Sequence, residues 1–237
     1  YVDMARAYVT VGLKDKAEKL MRMALYLDPK NRFVARAAAR FYIHIGDNER
    51  AAEIVRKTGF SRFDPWLMAS DISIAMMRGK RSGNIKKGQQ MIFSSSYTPF
   101  SISELASALG TVEMEYGTRK KSRDLFNQSL VDPNDNSLAQ AEWAMISARI
   151  PITIQSGLNV KCSHESKVYK ALELNDARES IHHAIDWICD MPFSLKPVFI
   201  GYEISTSLLR DYDLSSNILG VGLKSHPNDP WMLNNRA

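Results

Sequence analysis

Residues 1–31, YVDMARAYVTVGLKDKAEKLMRMALYLDPKN, read as two amphipathic helices that meet at Gly12 and are closed by Asp28-Pro29. In Tyr1–Val11, Ala5 and Tyr8 fall on one helical face. In Asp15–Leu27, the residues Ala17, Leu20, Met21, Ala24 and Leu25 form an inward stripe. Small residues at the crossing let the helices approach closely, and the aromatics fill the wedge between them. Gly12 supplies the tight connection, and Pro29 stops the second helix by disfavouring helical geometry at the residue before it. Neither helix can bury its face alone, so stacking on neighbours is required.

The same frame returns one period later. Ala38-Ala39, Tyr42, Gly46 and Ala51 stand 34 residues beyond Met4-Ala5, Tyr8, Gly12 and Ala17. Tyr1 stands for the first aromatic, Met4-Ala5 for Leu-Gly, Ala17-x₃-Met21 for Ala-x₃-Phe, and Pro29 ends the segment. This pattern resembles the tetratricopeptide repeat (TPR), a helical hairpin of 34 residues. The resemblance implies an all-α chain: a right-handed α-solenoid of stacked helix-turn-helix repeats acting as a non-catalytic scaffold.

A single array over 1–237 is expected. Its repeats fall at 1–31, 32–63, 64–98, 99–133, 134–193 and 194–228, with the start of another at 229. The third repeat carries a helix through Met77 followed by a degraded partner near Asn84–Phe93, where Gly88 sits mid-helix beside Lys86-Lys87. The fifth contains an insertion near 150–172, including a β-branched stretch at Pro151–Val160. Such insertions map to one face of a solenoid and are either functional or tolerated surface loops. In the sixth, helices are expected at Ile200–Leu209 and Leu214–Lys224. Asp64-Pro65-Trp66 and Asp229-Pro230-Trp231 repeat one helix-start device: Asp as cap, Pro in the first turn, Trp laid on the neighbouring repeat. Tyr1 enters at a signature position and Ala237 stops early in a new repeat, so a longer polypeptide with further domains is expected.

Composition narrows the function. Net charge +5 is a mild basic bias that suits acidic partners or a mixed surface. No apolar run approaches the ~18 residues of a membrane-spanning helix. Two cysteines, Cys162 and Cys189, do not make a disulfide framework and fit a reducing compartment, so a cytoplasmic location is expected. Cys162, His164, His182, His183 and Cys189 are the residues a metal site or a Cys–His nucleophile pair would draw on. Cys162-x-His164 is too tight for the usual ligand pair, and the adjacent histidines point to different helix faces. Gly79-Lys80-Arg81-Ser82-Gly83 lacks phosphate-loop spacing. No catalytic residue, metal or cofactor is therefore assigned.

What the resemblance does imply is a concave face lined by the first helix of each repeat. Its offsets fall on Arg6 and Thr10, on Phe33, Arg36, Arg40 and His44, on Trp66, Ser70, Ser73 and Met77, and on Ser107, Thr111 and Glu115. Arg6, Arg36 and Arg40 are expected to form a basic stripe suited to carboxylates or phosphates. Val2, Arg6 and Thr10 replace the Lys-Asn-Asn with which some TPR proteins hold a C-terminal carboxylate, so that clamp is not reproduced. A peptide or protein surface, acidic ones included, is the expected partner. A regulatory segment of a larger enzyme and a nucleic-acid-binding helical repeat are the alternatives, the latter disfavoured by low net charge and the absence of a base-reading residue pair per repeat.

Overall fold

A computed structural model describes residues 1–94, 96–154 and 160–236. The parts of the expected joint at 94–100 and of the insertion that fall on residues 95 and 155–159, and residue 237, lie outside the described residues. Among the described residues all regular structure is helical. The helices run α1 Val2–Thr10, α2 Lys14–Leu27, α3 Arg32–His44, α4 Asn48–Lys57, α5 Pro65–Met77, α6 Ile85–Ile92 and α7 Pro99–Tyr116. They continue with α8 Arg119–Ser129, α9 Asp135–Ala148, α10 His164–Glu173, α11 Ala177–Asp190, α12 Leu195–Glu203, α13 Tyr212–Ser225 and α14 Pro230–Arg236. Two compact units result: a central one, Asp28–Ser163, and a terminal one that joins Tyr1–Leu27 with His164–Ala237.

The central unit holds the clearest repeats. Asn31 caps α3 by accepting from Phe33 N and Val34 N. Ala38, Tyr42 and Ala51 are fully buried, as the repeat frame requires. Gly46 turns the chain at φ +86. Asp64 accepts from Trp66 N at 2.9 Å and Leu67 N at 3.1 Å with Pro65 in the first turn, so the helix-start device works as read. The core between α5, α6 and α7 is built from Met68, Ile72, Ile85, Leu105 and Leu109. Each such side chain stabilises the fold by about 1.5–3 kcal/mol when buried.

Helix α6 corrects the expectation of a degraded partner. Gly88 is buried, and a Cβ there would meet Leu109 Cδ1 and Met68 Sδ at 3.2 Å. Its missing side chain is what lets α6 seat between α5 and α7. Lys87 stays on the rim, its Nζ 4.1 Å over the Phe63 ring. The fourth hairpin closes similarly: Ser122 Oγ donates to Gly110 O at 2.9 Å, and a Cβ on Gly110 would meet the Phe126 ring at 3.1 Å. Ile150 and Ile152, at the start of the insertion, are buried against Phe126 and Leu138 and extend that core. Arg119 Nη2 donates to Ala148 O and Arg149 O, closing the end of α9.

In the terminal unit the opening hairpin departs from its signature. Tyr1 and Met4 are exposed, and Val2, Ala5 and Val9 form the buried stripe with Tyr8 half-buried. Those three residues share one face at helical spacing, and it meets Ala17, Met21 and Ala24 of α2. The hairpin joins the C-terminal helices at its turn. Ser225 Oγ donates to Thr10 O at 3.1 Å and to Pro192 O at 2.8 Å. Gly12 has φ +75, and a Cβ there would lie 2.8 Å from Lys224 O.

Helix α12 begins at Leu195, ahead of the expected Ile200, because Pro197 in its first turn fits where backbone N–H groups have no helical partner. It passes into a π-helical turn at Ile204–Leu208, with Leu209 N donating to Ile204 O at 3.0 Å. Asp229 caps α14 by accepting from Met232 N at 2.9 Å. Trp231 lies edge-on against Phe199 at 4.6 Å and Tyr202 at 5.0 Å, the neighbour contact the device predicts.

Candidate functional site

The repeat offset brings polar side chains of successive first helices onto one face of the central unit. Arg36, Ser70 and Glu104 stand 34 residues apart on α3, α5 and α7, as do Ala39, Ser73 and Ser107. With Gln140 and Asn136 of α9, all of these but Ser107 line a cavity of about 210 Å³ that Arg40 and Met77 also border. That volume lies below the ~300 Å³ at which drug-sized pockets begin, so it admits a side chain or a short chain segment.

Arg36 is committed within the protein. Its Nη2 donates to Glu104 Oε2 at 2.6 Å, and its guanidinium lies 4.9 Å over the Trp66 ring. Glu104, only 7% exposed in its side chain, also accepts from Asn134 Nδ2 at 2.7 Å. Trp66 is 8% exposed, with Phe100 at 5.4 Å. It is covered by Arg36 and α7 and does not line the cavity, so it is not the open contact residue that was expected.

Among the described residues that line this cleft, Arg40 is the exposed cation. The carboxyl of Asp135, at the start of α9, is pushed above its ordinary range by desolvation against the opposing pull of Arg40. Ser73 is half-buried and Met77 exposed. Ser70 Oγ donates to Trp66 O at 3.0 Å, Thr111 Oγ1 to Ser107 O at 3.1 Å, and Ser107 Oγ to Gln140 Oε1.

Of the expected contact residues, the structure therefore brings Arg36, Arg40, Ser70, Ser73 and Met77 to one cavity. Phe33 is exposed and His44 half-buried, and neither lines it. Glu115 is exposed and likewise outside it. Arg6 and Thr10 belong to the terminal unit, where the Arg6 guanidinium lies 5.8 Å from the Phe193 ring and Thr10 Oγ1 donates to Arg6 O. Cys162 and Cys189 are exposed free thiols. Glu104 went unread in the sequence although the same 34-residue step from Ser70 reaches it.

No protein-family model and no curated protein matches the sequence. Among solved structures the chain is similar to the C-terminal part of a TPR repeat-containing protein from Cytophaga hutchinsonii, at 11% identity with all of both chains covered and a TM-score of 0.40. A likeness that distant carries no argument about function. No helix among the described residues is long and apolar enough to cross a membrane.

Proposed function

We propose that the central unit is a non-catalytic protein-interaction module whose cleft takes up a peptide or a segment of a partner's surface. The observation that carries this reading is the convergence of polar residues from α3, α5, α7 and α9 on one small cavity. Ser73, Asn136 and Gln140 offer hydrogen bonds to a peptide backbone, and Met77 offers an adaptable apolar contact. Arg40 supplies the cation for an acidic side chain or terminus. The nucleic-acid alternative loses support, since Arg36 and Trp66 are engaged with each other and with Glu104 and Phe100. A regulatory role within a larger enzyme is compatible with the same cleft.

A panel of short acidic and neutral peptides, read by fluorescence polarisation against the full chain, tests this. Arg40→Glu and Ser73→Trp are each expected to weaken the best acidic ligand at least about tenfold, or ~1.4 kcal/mol. Arg6→Glu is expected to leave binding unchanged. Peptide affinity indifferent to both cleft substitutions refutes the assignment.

A further inference from the structure

The terminal unit gathers three ligand-type side chains that sequence spacing had kept apart. His183 and Asp186 sit one turn apart on α11, and His164 is the first residue of α10. One potential ligand atom from each lies within 4.8 Å of the others. His164 Nδ1 is 3.8 Å from Asp186 Oδ2, too far for a hydrogen bond. Two ligands of a tetrahedral zinc ion stand about 3.3 Å apart, so small side-chain rotations close the set.

Two further observations point to a ligand. The Nδ1 atoms of His164 and of His183 are buried without a hydrogen-bond partner among the described residues. A buried ring nitrogen left without a partner is costly unless something occupies its lone pair. His183 also has its other nitrogen engaged: Nε2 lies 3.1 Å from Glu179 Oε1. A carboxylate on one imidazole nitrogen holds the proton there and turns the other, unprotonated nitrogen toward a metal.

We propose that His164 Nδ1, His183 Nδ1 and an Asp186 carboxylate oxygen form a binding site for a divalent transition metal of the zinc class. Glu179 is its positioning residue. Two imidazoles and one carboxylate select zinc, cobalt or nickel over magnesium and calcium, which prefer all-oxygen sets. The metal ties the start of α10 to the middle of α11. Three protein ligands leave a fourth position for water or for a donor atom from a partner.

The test uses the full chain with Cys162→Ser and Cys189→Ser, so that thiols cannot contribute. After chelation, Co²⁺ is titrated by its visible absorption and displaced with Zn²⁺. One equivalent is expected to bind at micromolar concentration. His164→Ala, His183→Gln and Asp186→Asn are each expected to weaken binding at least about 100-fold, and Glu179→Gln about 10- to 100-fold. His182→Ala, removing an exposed ring 3.7 Å from Asp186 Oδ2, is expected to change affinity less than about threefold. Far-UV circular dichroism identifies variants that fail to fold. Asp186→Asn, at a half-buried position and nearly isosteric, keeps the test decisive if a histidine variant does fail. Absence of saturable binding, unchanged affinity in folded His164→Ala or Asp186→Asn, or a loss on His182→Ala equal to that on His183→Gln overturns the proposal.

Discussion

Replacing Arg36 by Met removes a guanidinium and keeps most of its apolar stem. It leaves the Glu104 carboxylate, 7% exposed, with the Asn134 amide and no paired cation at 2.6 Å. Breaking a fully buried ion pair from one side costs about 3–5 kcal/mol. Arg36 is 23% exposed, so water relieves part of that charge. Loss of its contact with the Trp66 ring adds about 0.5–1 kcal/mol. The expected total is about 3 kcal/mol, or roughly 6–12 °C in melting temperature. Glu104→Gln removes the charge but keeps an acceptor, and about 1–2 kcal/mol is expected. The double variant should cost about 1.5 kcal/mol less than the sum, because each single change leaves the other group buried alone. Urea unfolding measures this in a chain carrying Trp187→Phe and Trp231→Phe, so that fluorescence reports Trp66 and Trp143 of the central unit. An Arg36→Met cost below about 1 kcal/mol, or strict additivity with Glu104→Gln, would refute the reasoning.

Two other outcomes follow from the terminal unit. Gly12→Ala is expected to cost about 2–4 kcal/mol, since a positive φ and a backbone oxygen 2.8 Å from the new Cβ both oppose it. Gly46→Ala, with a comparable φ of +86 but open space, should cost only about 1–2 kcal/mol, and equal costs would show that the contact with Lys224 is unimportant. Burial pushes the His226 imidazole below its ordinary 6.5, against the opposing effect of its bond to Phe193 O. The unfolded chain then binds more protons just below pH 6.5, so stability falls as pH drops through that window. The slope is at most ~1.4 kcal/mol per pH unit for one group. Melting between pH 5 and 7 should show it, and His226→Gln should make the fall shallower.

The helical periodicity was legible because its carriers are backbone-dictated: Gly46 at a left-handed turn, Asp64-Pro65 at a helix start, Ala38 and Ala51 at a close crossing. Positions decided by neighbours were not. Trp66 reads as a contact residue until α7 covers it with Phe100. Arg36 reads as an open cation until Glu104, two repeat periods further along the chain, meets it. Gly88 looks like damage to a helix when only propensity is counted, yet Met68 and Leu109 would have to give way to even a single Cβ there. Tyr1 and Met4 occupy signature positions, but the two valines of α1 define a face one residue away. The π turn at Ile204–Leu208 has no local sequence signal that we identify.

The bond between Arg36 and Glu104 spans two repeat periods, reaching from α3 to α7 past α5. It acts as a chord across the inner arc of those three helices. Straightening the arc lengthens the chord, and a salt bridge gives way over less than an ångström or two. Curvature and charge are thus one variable in this cleft. Where the arc opens, a carboxylate and a guanidinium return to it together; where it holds, the cleft carries the charge of Arg40 and little else of that pair.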